Sequence, residues 1–236
     1  MTRIAAAAIL LWASGCAASL GPSIAHDERE MFRAPQFDRA RLKAGGLALL
    51  GVTSKVAPEG IRDDVAFVID QVAVNEVSKV KVLTRAETLA TARQAGMSGD
   101  LQRLMEGYED RGAIEAGLLR RMAGLLGVRY MWMTGILQYE RITRDIAPPP
   151  SAVMPGLRPR GQGTERVQRV RLRAEIWDSR CGVLVWAAEG GTEAVEEMMT
   201  EDVRLNDVLS MAAANLLSVL PKSGQGGTTA EKECGI

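Results

Sequence analysis

Strict alternation of apolar and charged residues is clearest in VQRVRLRAEIWD, residues 167–178. In a strand, successive side chains point to opposite faces. The apolar members share one face: Val170, Leu172, Ala174 and Ile176. The charged members share the other: Arg169, Arg171, Arg173 and Glu175. The turn SRCG (179–182) and the apolar run 183–194 complete a predicted β-hairpin.

The remaining patterns predict strands that alternate with helices. Apolar or β-branched runs predict strands at 45–52, 79–84 and 128–145. Helical periodicity, with glycine or proline at the ends, predicts helices at 61–77, at 85–96, across 100–127 and at 201–220. The predicted order is β-α-β-α-α-β-β-β-α. It indicates a single α/β domain over 44–220, with a mixed β-sheet covered by helices, followed by a flexible tail at 221–236.

The first 15 residues differ from the rest of the chain. Arg3 precedes the ten apolar residues IAAAAILLWA, 4–13. A helix of that length is about 15 Å long, half of a hydrocarbon core, so it is too short to span a membrane. The segment is typical of a secretory signal peptide. We expect no transmembrane helix after it, because no later run approaches 18 apolar residues.

The end of this segment, Ala13-Ser14-Gly15-Cys16, resembles a bacterial lipobox. In such signals the cysteine is acylated and becomes the new N-terminus. Cleavage after Ser19, which would discard Cys16, is the alternative. Lipidation of Cys16 would make residues 16–43 a tether. Ala17 favours the outer membrane, because an Asp after the lipidated cysteine would suggest retention at the inner membrane.

Export changes the expected state of the other two cysteines. Three cysteines are an odd number for an exported protein, and lipidation of Cys16 leaves Cys181 and Cys234. Both would lie in an oxidising compartment, where they form a disulfide or remain two free thiols.

Charge and composition exclude several functions. Lys and Arg total 29, as do Asp and Glu, and aromatics are 4%, so nothing indicates nucleic-acid binding. The single histidine, His26, lies in the predicted tether, which excludes a catalytic histidine inside the domain. We predict no metal, cofactor or enzymatic activity. A carboxylate-only hydrolase is the remaining enzymatic alternative, and its candidates cluster in one stretch: Glu193, Glu196, Glu197, Glu201 and Asp202.

Arginines are concentrated between residues 141 and 173, where the sequence has eight arginines and only two acidic residues. The predicted docking residues for an anionic partner follow the hairpin: Arg166, Arg169, Arg171 and Arg173. The alternative is a solvated strand face whose arginines pair with acids elsewhere.

Short motifs in 117–194 resemble the CsgG/LpoB-type envelope lipoproteins, whose domain is similar to the N-terminal domain of TolB. They are Leu126-Gly127-Val128, Thr134-Gly135-Ile136-Leu137, Asp178 followed by Cys181-Gly182, and Trp186. The family usually has threonine where Cys181 stands.

The resemblance implies a lipid-anchored, periplasm-facing accessory protein that binds an envelope partner and assists envelope assembly or wall synthesis. The alternative is an oligomeric secretion channel of the CsgG type. A channel is disfavoured because the segment that would insert, 146–164, carries five prolines and no alternation.

Overall fold

A six-stranded sheet forms the centre of the computed structural model, which describes residues 23–77, 79–146, 163–197 and 203–222. The strands are β1 (Ser23–Arg33), β2 (Leu47–Thr53), β3 (Val82–Leu83), β4 (Tyr130–Ile146), β5 (Gly163–Asp178) and β6 (Val183–Glu197). The helices are α1 (Arg39–Gly45), α2 (Glu59–Glu76), α3 (Arg85–Gln94), α4 (Ser98–Arg111), α5 (Ala116–Leu126) and α6 (Leu205–Ser218).

The strands lie in the order β1-β6-β5-β4-β2-β3. β2 pairs in parallel with both β3 and β4, and the other pairs are antiparallel. The predicted single α/β domain with a mixed, helix-covered sheet is therefore confirmed.

The first face of the sheet is covered by α2 and α6. The alternating apolar residues of β5 lie here, with Leu172, Ala174 and Ile176 fully buried. Trp132 and Trp186 pack against each other with ring centroids 5.7 Å apart. The Trp132 indole N–H donates to Thr134 Oγ1 at 2.7 Å, which satisfies its buried polar atom.

The second face is covered by α3, α4 and α5 over β2, the first half of β4 and the end of β5, where Trp177 packs against the helical cluster. Met131 and Met133 of β4 pack there against Leu119 and Met122 of α5. Beyond the cover the same face carries the arginines of β5, Arg169, Arg171 and Arg173, and is open to solvent. The helical cover therefore divides this face into a core half and an open half.

The N-terminal boundary differs from the prediction. Residues 23–33 form β1 and residues 39–45 form α1, whereas the sequence placed the whole of 16–43 in a tether. Phe37 and Leu42 are buried in the core, so the domain begins before residue 44. β1 was missed because its side chains are mostly exposed and show no alternation. Main-chain pairing with β6 holds it in place.

The two ends of the sheet are distinct. At one end, which we call the Ser23 end, β1 begins beside Val195 of β6. At the other, the turn end, residues 179–182 join β5 to β6. No helix among the described residues is long and apolar enough to cross a membrane.

Candidate functional site

The open half of the second face carries charged side chains that pair with one another. We call this surface the open face. It is formed by β1, β6, β5 and β4, and its polar side chains are Asp27, Arg29, Gln138, Glu140, Arg169, Arg171, Arg173, Glu189 and Glu193.

Arg169 stands between two carboxylates. Its Nε donates to Glu193 at 2.9 Å, and its Nη1 donates to Glu140 at 2.9 Å. The hydrogen bond and charge of Arg169 lower the pKa of Glu193, and Glu193 in turn raises the pKa of Arg169. The side chains are about one-third exposed, so this is a partly solvated triad and not a buried ion pair.

Arg171 pairs with Asp27 across Gly191 of β6. A Cβ at Gly191 would collide with the Asp27 carboxylate, so a larger residue there would displace the Asp27 side chain. The missing side chain leaves a groove of about 400 Å³, lined in part by Gln138, Arg169 and Glu193. The groove gives the open face a recess that is large enough to admit a side chain.

Arg173 marks the border between the open face and the helical cover. It pairs with Glu175 at 2.6 Å, and Glu175 is only 4% exposed. Glu175 also accepts from the Trp177 indole and hydrogen-bonds with Tyr108 of α4. Burial, and then the charge of Glu175, raise the pKa of Tyr108. This network attaches α4 to the sheet.

The structure therefore brings three of the four predicted docking residues, Arg169, Arg171 and Arg173, onto one face, each with an acidic partner. The fourth, Arg166, is exposed near the Ser23 end and also has an interaction partner. A face so neutralised suits a partner of mixed charge better than a polyanion. The docking role itself stays a prediction.

Of the carboxylates considered for hydrolysis, the two whose side chains the structure describes, Glu193 and Glu196, do not converge. Glu193 lies on the open face, whereas Glu196 is 5% exposed on the opposite face, where it accepts from Gln168 and from the Val203 backbone N–H. A general acid needs a raised pKa, and that of Glu193 is lowered. The side chain of Glu197 and all of Glu201 and Asp202 lie outside the described residues.

His26 lies in β1 and not in a tether. Its Nδ1 is 3.2 Å from the amide of Asn215 on α6. Within the described part of the chain, no group of three or more His, Cys, Asp or Glu side chains could hold a metal ion.

A second recess lies at the turn end, between the end of α5, the start of β4 and the β5–β6 turn. We call it the turn groove. Its volume is about 510 Å³, and its lining includes Arg120, Gly124, Gly127, Arg129, Ser179 and Arg180. No sequence pattern reveals this groove, because its lining residues are far apart in the chain.

Asp178 fixes the geometry of the turn groove. The Arg129 guanidinium donates to its Oδ2 from Nε at 2.9 Å and from Nη2 at 2.6 Å. Its other oxygen accepts from the Arg180 backbone N–H at 3.0 Å. Arg120 reaches the Arg180 carbonyl at 3.4 Å. Three cationic side chains, Arg120, Arg129 and Arg180, therefore line the groove, and the carboxylate of Asp178 fixes two of these residues beside the turn.

Cys181 lies half-buried in the turn beside this groove and is disulfide-bonded. Cys16 and Cys234 lie outside the described residues. The predicted lipidation of Cys16 and the pairing of Cys181 with Cys234 therefore stay predictions. The predicted signal peptide (1–15), the proline-rich loop core (147–162) and the tail from residue 223 also lie outside them.

No family model and no curated protein sequence matches this chain. Among solved structures, the PelC dodecamer from Paraburkholderia phytofirmans is similar at 13% identity with a TM-score of 0.44, over 82% of this chain and 96% of that one. Lipoprotein GNA1162 from Neisseria meningitidis is similar at 15% identity with a TM-score of 0.44, over 72% and 96%.

The LpoB C-terminal domain from Salmonella enterica is similar at 11% identity with a TM-score of 0.38, over 62% of this chain and 81% of that one. Two of these neighbours, GNA1162 and LpoB, carry names that agree with the resemblance predicted from sequence. At TM-scores below 0.5 these likenesses carry no argument for family or function. The function has to be inferred from this chain's own residues.

Proposed function

We propose that the chain is a lipid-anchored, periplasm-facing accessory protein that binds a protein partner in envelope assembly or wall synthesis. The observation that carries the proposal is the N-terminal segment, in which an apolar run too short to span a membrane ends in Ala13-Ser14-Gly15-Cys16. Its site of attachment is the outer membrane, which Ala17 favours.

The open face supports the binding role. It is a broad solvent-exposed sheet surface whose arginines are held in fixed geometry by carboxylates, with a groove at Gly191 that a partner side chain can enter. Guanidinium–carboxylate pairs of this kind present donors and acceptors together, which gives specificity more than raw affinity. A partner of mixed charge fits it.

The lipid anchor is tested by metabolic labelling with radioactive palmitate in cells that express the full chain. We expect label in the wild type and none in Cys16→Ser, with Cys234→Ser as the control that keeps its label. Processing that continues unchanged in the presence of globomycin, a lipoprotein signal-peptidase inhibitor, would contradict the proposal.

The partner is tested by placing a photo-crosslinking amino acid at Gln138, in the groove of the open face. The matched control carries it at Phe67 of α2, which is 63% exposed and lies outside the open face. We expect mass spectrometry to identify an envelope protein crosslinked from Gln138 alone. Crosslinks only to a second copy of this chain would favour the oligomeric channel alternative instead.

A further inference from the structure

Two stretches of sheet edge lie without a neighbouring strand in the described part of the chain. β1 is the first strand of the sheet and pairs only with β6. β4 pairs with β2 no further than Gly135, and from there to Ile146 it pairs with β5 alone. We call these stretches the β1 edge, 23–33, and the β4 edge, 136–146. The outer side of each carries a row of main-chain N–H and C=O groups that can bond another strand.

Exposed apolar side chains are concentrated on the same two edges. Nine large apolar side chains are exposed among the described residues. Five of them lie on the β1 and β4 edges: Ile24, Met31, Phe32, Leu137 and Ile142. Apolar side chains that cluster in this way are typical of a surface that an assembly covers.

The charges of the two edges match when the edges are aligned antiparallel with Glu28 opposite Arg141. Arg29 then lies opposite Glu140, and no like charges meet. A shift by one residue in one direction would bring Glu28 against Glu140. A shift in the other direction would bring Arg29 against Arg141. Opposite charges at facing positions stabilise a strand pair and like charges destabilise it, so this alignment is preferred to its neighbours.

The central pair of this alignment can form without breaking another contact. Glu28 and Arg141 are both exposed, and neither side chain has an ion pair or a hydrogen bond with a described residue. Both point to the face of the sheet that α6 covers, as do Gly190 and Gln168, the residues paired with them in the sheet. A guanidinium and a carboxylate on the same face of facing strands are within reach of each other.

The same alignment brings apolar side chains together. Phe32, which is 45% exposed, lies opposite Leu137, which is 41% exposed. Both strands have a bulge at this level, so their irregular parts lie side by side. A shift by two residues would separate Phe32 from Leu137. It would also place Glu30 opposite Arg141, although Glu30 already pairs with Arg33.

We propose that the β1 edge of one copy pairs with the β4 edge of a second copy, so that the sheet continues from chain to chain. β1 and β4 run in opposite directions within one chain, so antiparallel pairing keeps all copies the same way up. The contact uses a different edge of each copy, and it therefore repeats and gives assemblies of more than two chains. It lies in the plane of the sheet and leaves the open face available to a partner. The inference does not depend on lipidation.

The assembly is tested by native mass spectrometry of the full chain, released from detergent. The wild type should be present as assemblies of more than two copies. Glu28→Arg or Arg141→Glu should raise the concentration at which the assemblies dissociate by roughly tenfold, because each places like charges opposite each other. Asp64→Arg, on the exposed side of α2, is the matched control and should leave that concentration unchanged. A wild type no larger than a dimer would overturn the proposal.

A mixture of the two charge variants separates specific pairing from a general loss of structure. Each copy of Glu28→Arg can meet a copy of Arg141→Glu on both of its edges, and every contact then joins opposite charges. The mixture should therefore assemble as the wild type does, although each variant alone dissociates. Circular dichroism confirms that both variants are folded. A mixture that stays dissociated would overturn the alignment of Glu28 with Arg141.

The location of the contact is tested by a photo-crosslinking amino acid at Thr143, which is exposed on the β4 edge and lies opposite His26 in the alignment. We expect a crosslink to a second copy, mapped by mass spectrometry to residues 23–29. Position Phe67 of α2 is the control and should give no crosslink to that stretch. Crosslinks from position 143 to another part of a second copy, or none to a second copy, would overturn the proposal. Neither result affects the envelope partner, which the crosslink from Gln138 tests.

Discussion

At the scale of residues, Asp178 is the carboxylate on which the turn end depends. Its side chain is 5% exposed and accepts two hydrogen bonds from Arg129 and one from the backbone of Arg180. Burying a charge this deeply is costly unless an opposite charge is bound to it. The fold therefore depends on both members of the pair.

We expect Asp178→Ala to lower the free energy of unfolding by about 2–4 kcal/mol, because it removes the carboxylate that binds the mostly buried Arg129 guanidinium. Urea denaturation measures the change. Asp63→Ala, which removes a pair whose side chains are 37% and 59% exposed, is the control and should cost under about 1 kcal/mol. Similar losses in the two variants would contradict the role given to Asp178.

The buried tyrosine Tyr108 makes the stability of the fold depend on pH in the alkaline range. Burial and the charge of Glu175 raise its pKa, and burial also raises the pKa of Tyr130. Above about pH 10 the unfolded chain releases tyrosine protons that the native state keeps. The native state then binds more protons, so stability falls as pH rises.

The unfolding free energy should therefore decline above pH 10, by up to about 1.4 kcal/mol per pH unit for each tyrosine involved. Chemical denaturation at pH 9, 10 and 11 measures the slope. Tyr108→Phe should make the slope shallower, although its stability at neutral pH also changes through loss of the contact with Glu175. An identical slope in both proteins would show that Tyr108 does not carry the effect.

Sequence patterns predicted which residues share a face but not what each residue contacts. The alternation of 167–178 placed Arg169, Arg171 and Arg173 together, as the structure shows. The partner of Arg171, however, is Asp27, which is 144 positions away and lies on a strand that the pattern did not reveal. Long-range ion pairs leave no periodic signal in the chain.

At the scale of elements, local periodicity predicted those that bury an apolar face. The hairpin of β5 and β6 and the helices α2 to α6 lie where the pattern placed them, within a few residues. The sequence pattern did not predict β1 and α1, because each depends on tertiary partners. β1 pairs with β6, and α1 buries Leu42 alone among its residues. The predicted strand at 79–84 shortens to Val82–Leu83, because only two of its residues pair with β2.

The contact between α6 and β6 depends on Gly190. A Cβ there would lie 2.8 Å from the backbone N of Leu216, so the helix would have to move. Gly190→Ala should destabilise the fold by about 1–3 kcal/mol, as overpacking does. Thermal denaturation checks this against Gly124→Ala in α5, where an added Cβ meets nothing within 4 Å and should stabilise by about 1 kcal/mol. Equal effects would show that α6 tolerates the shift.

At the scale of the whole molecule, the short distance between Cys16 and Ser23 determines how an anchored chain would stand. Six residues, 17–22, separate a lipidated Cys16 from the first residue of β1. They extend over about 20 Å at most, so under the proposed lipidation the Ser23 end faces the membrane. The turn end, with its groove, then points away from the bilayer.

This orientation predicts different distances from the lipid for Arg166, near the Ser23 end, and for Arg180 in the turn. A fluorophore introduced at position 166 should be quenched more strongly by a headgroup quencher than one at position 180, in vesicles that carry the full lipidated chain. Cys16→Ser, which removes the anchor, should abolish both signals. Equal quenching at the two positions would contradict the orientation.

The pairing of β1 with β6 has a mechanical consequence for an anchored chain. Ten residue pairs join the two strands, and their hydrogen bonds lie across the strand direction. Tension between a lipid at the start of β1 and a load at the turn end would pull the two strands lengthwise past each other. The hydrogen bonds between β1 and β6 would then be loaded simultaneously, in shear, and would not break one after another. An edge strand that stands next to the anchor can thus bear force between the membrane and whatever the distal end holds.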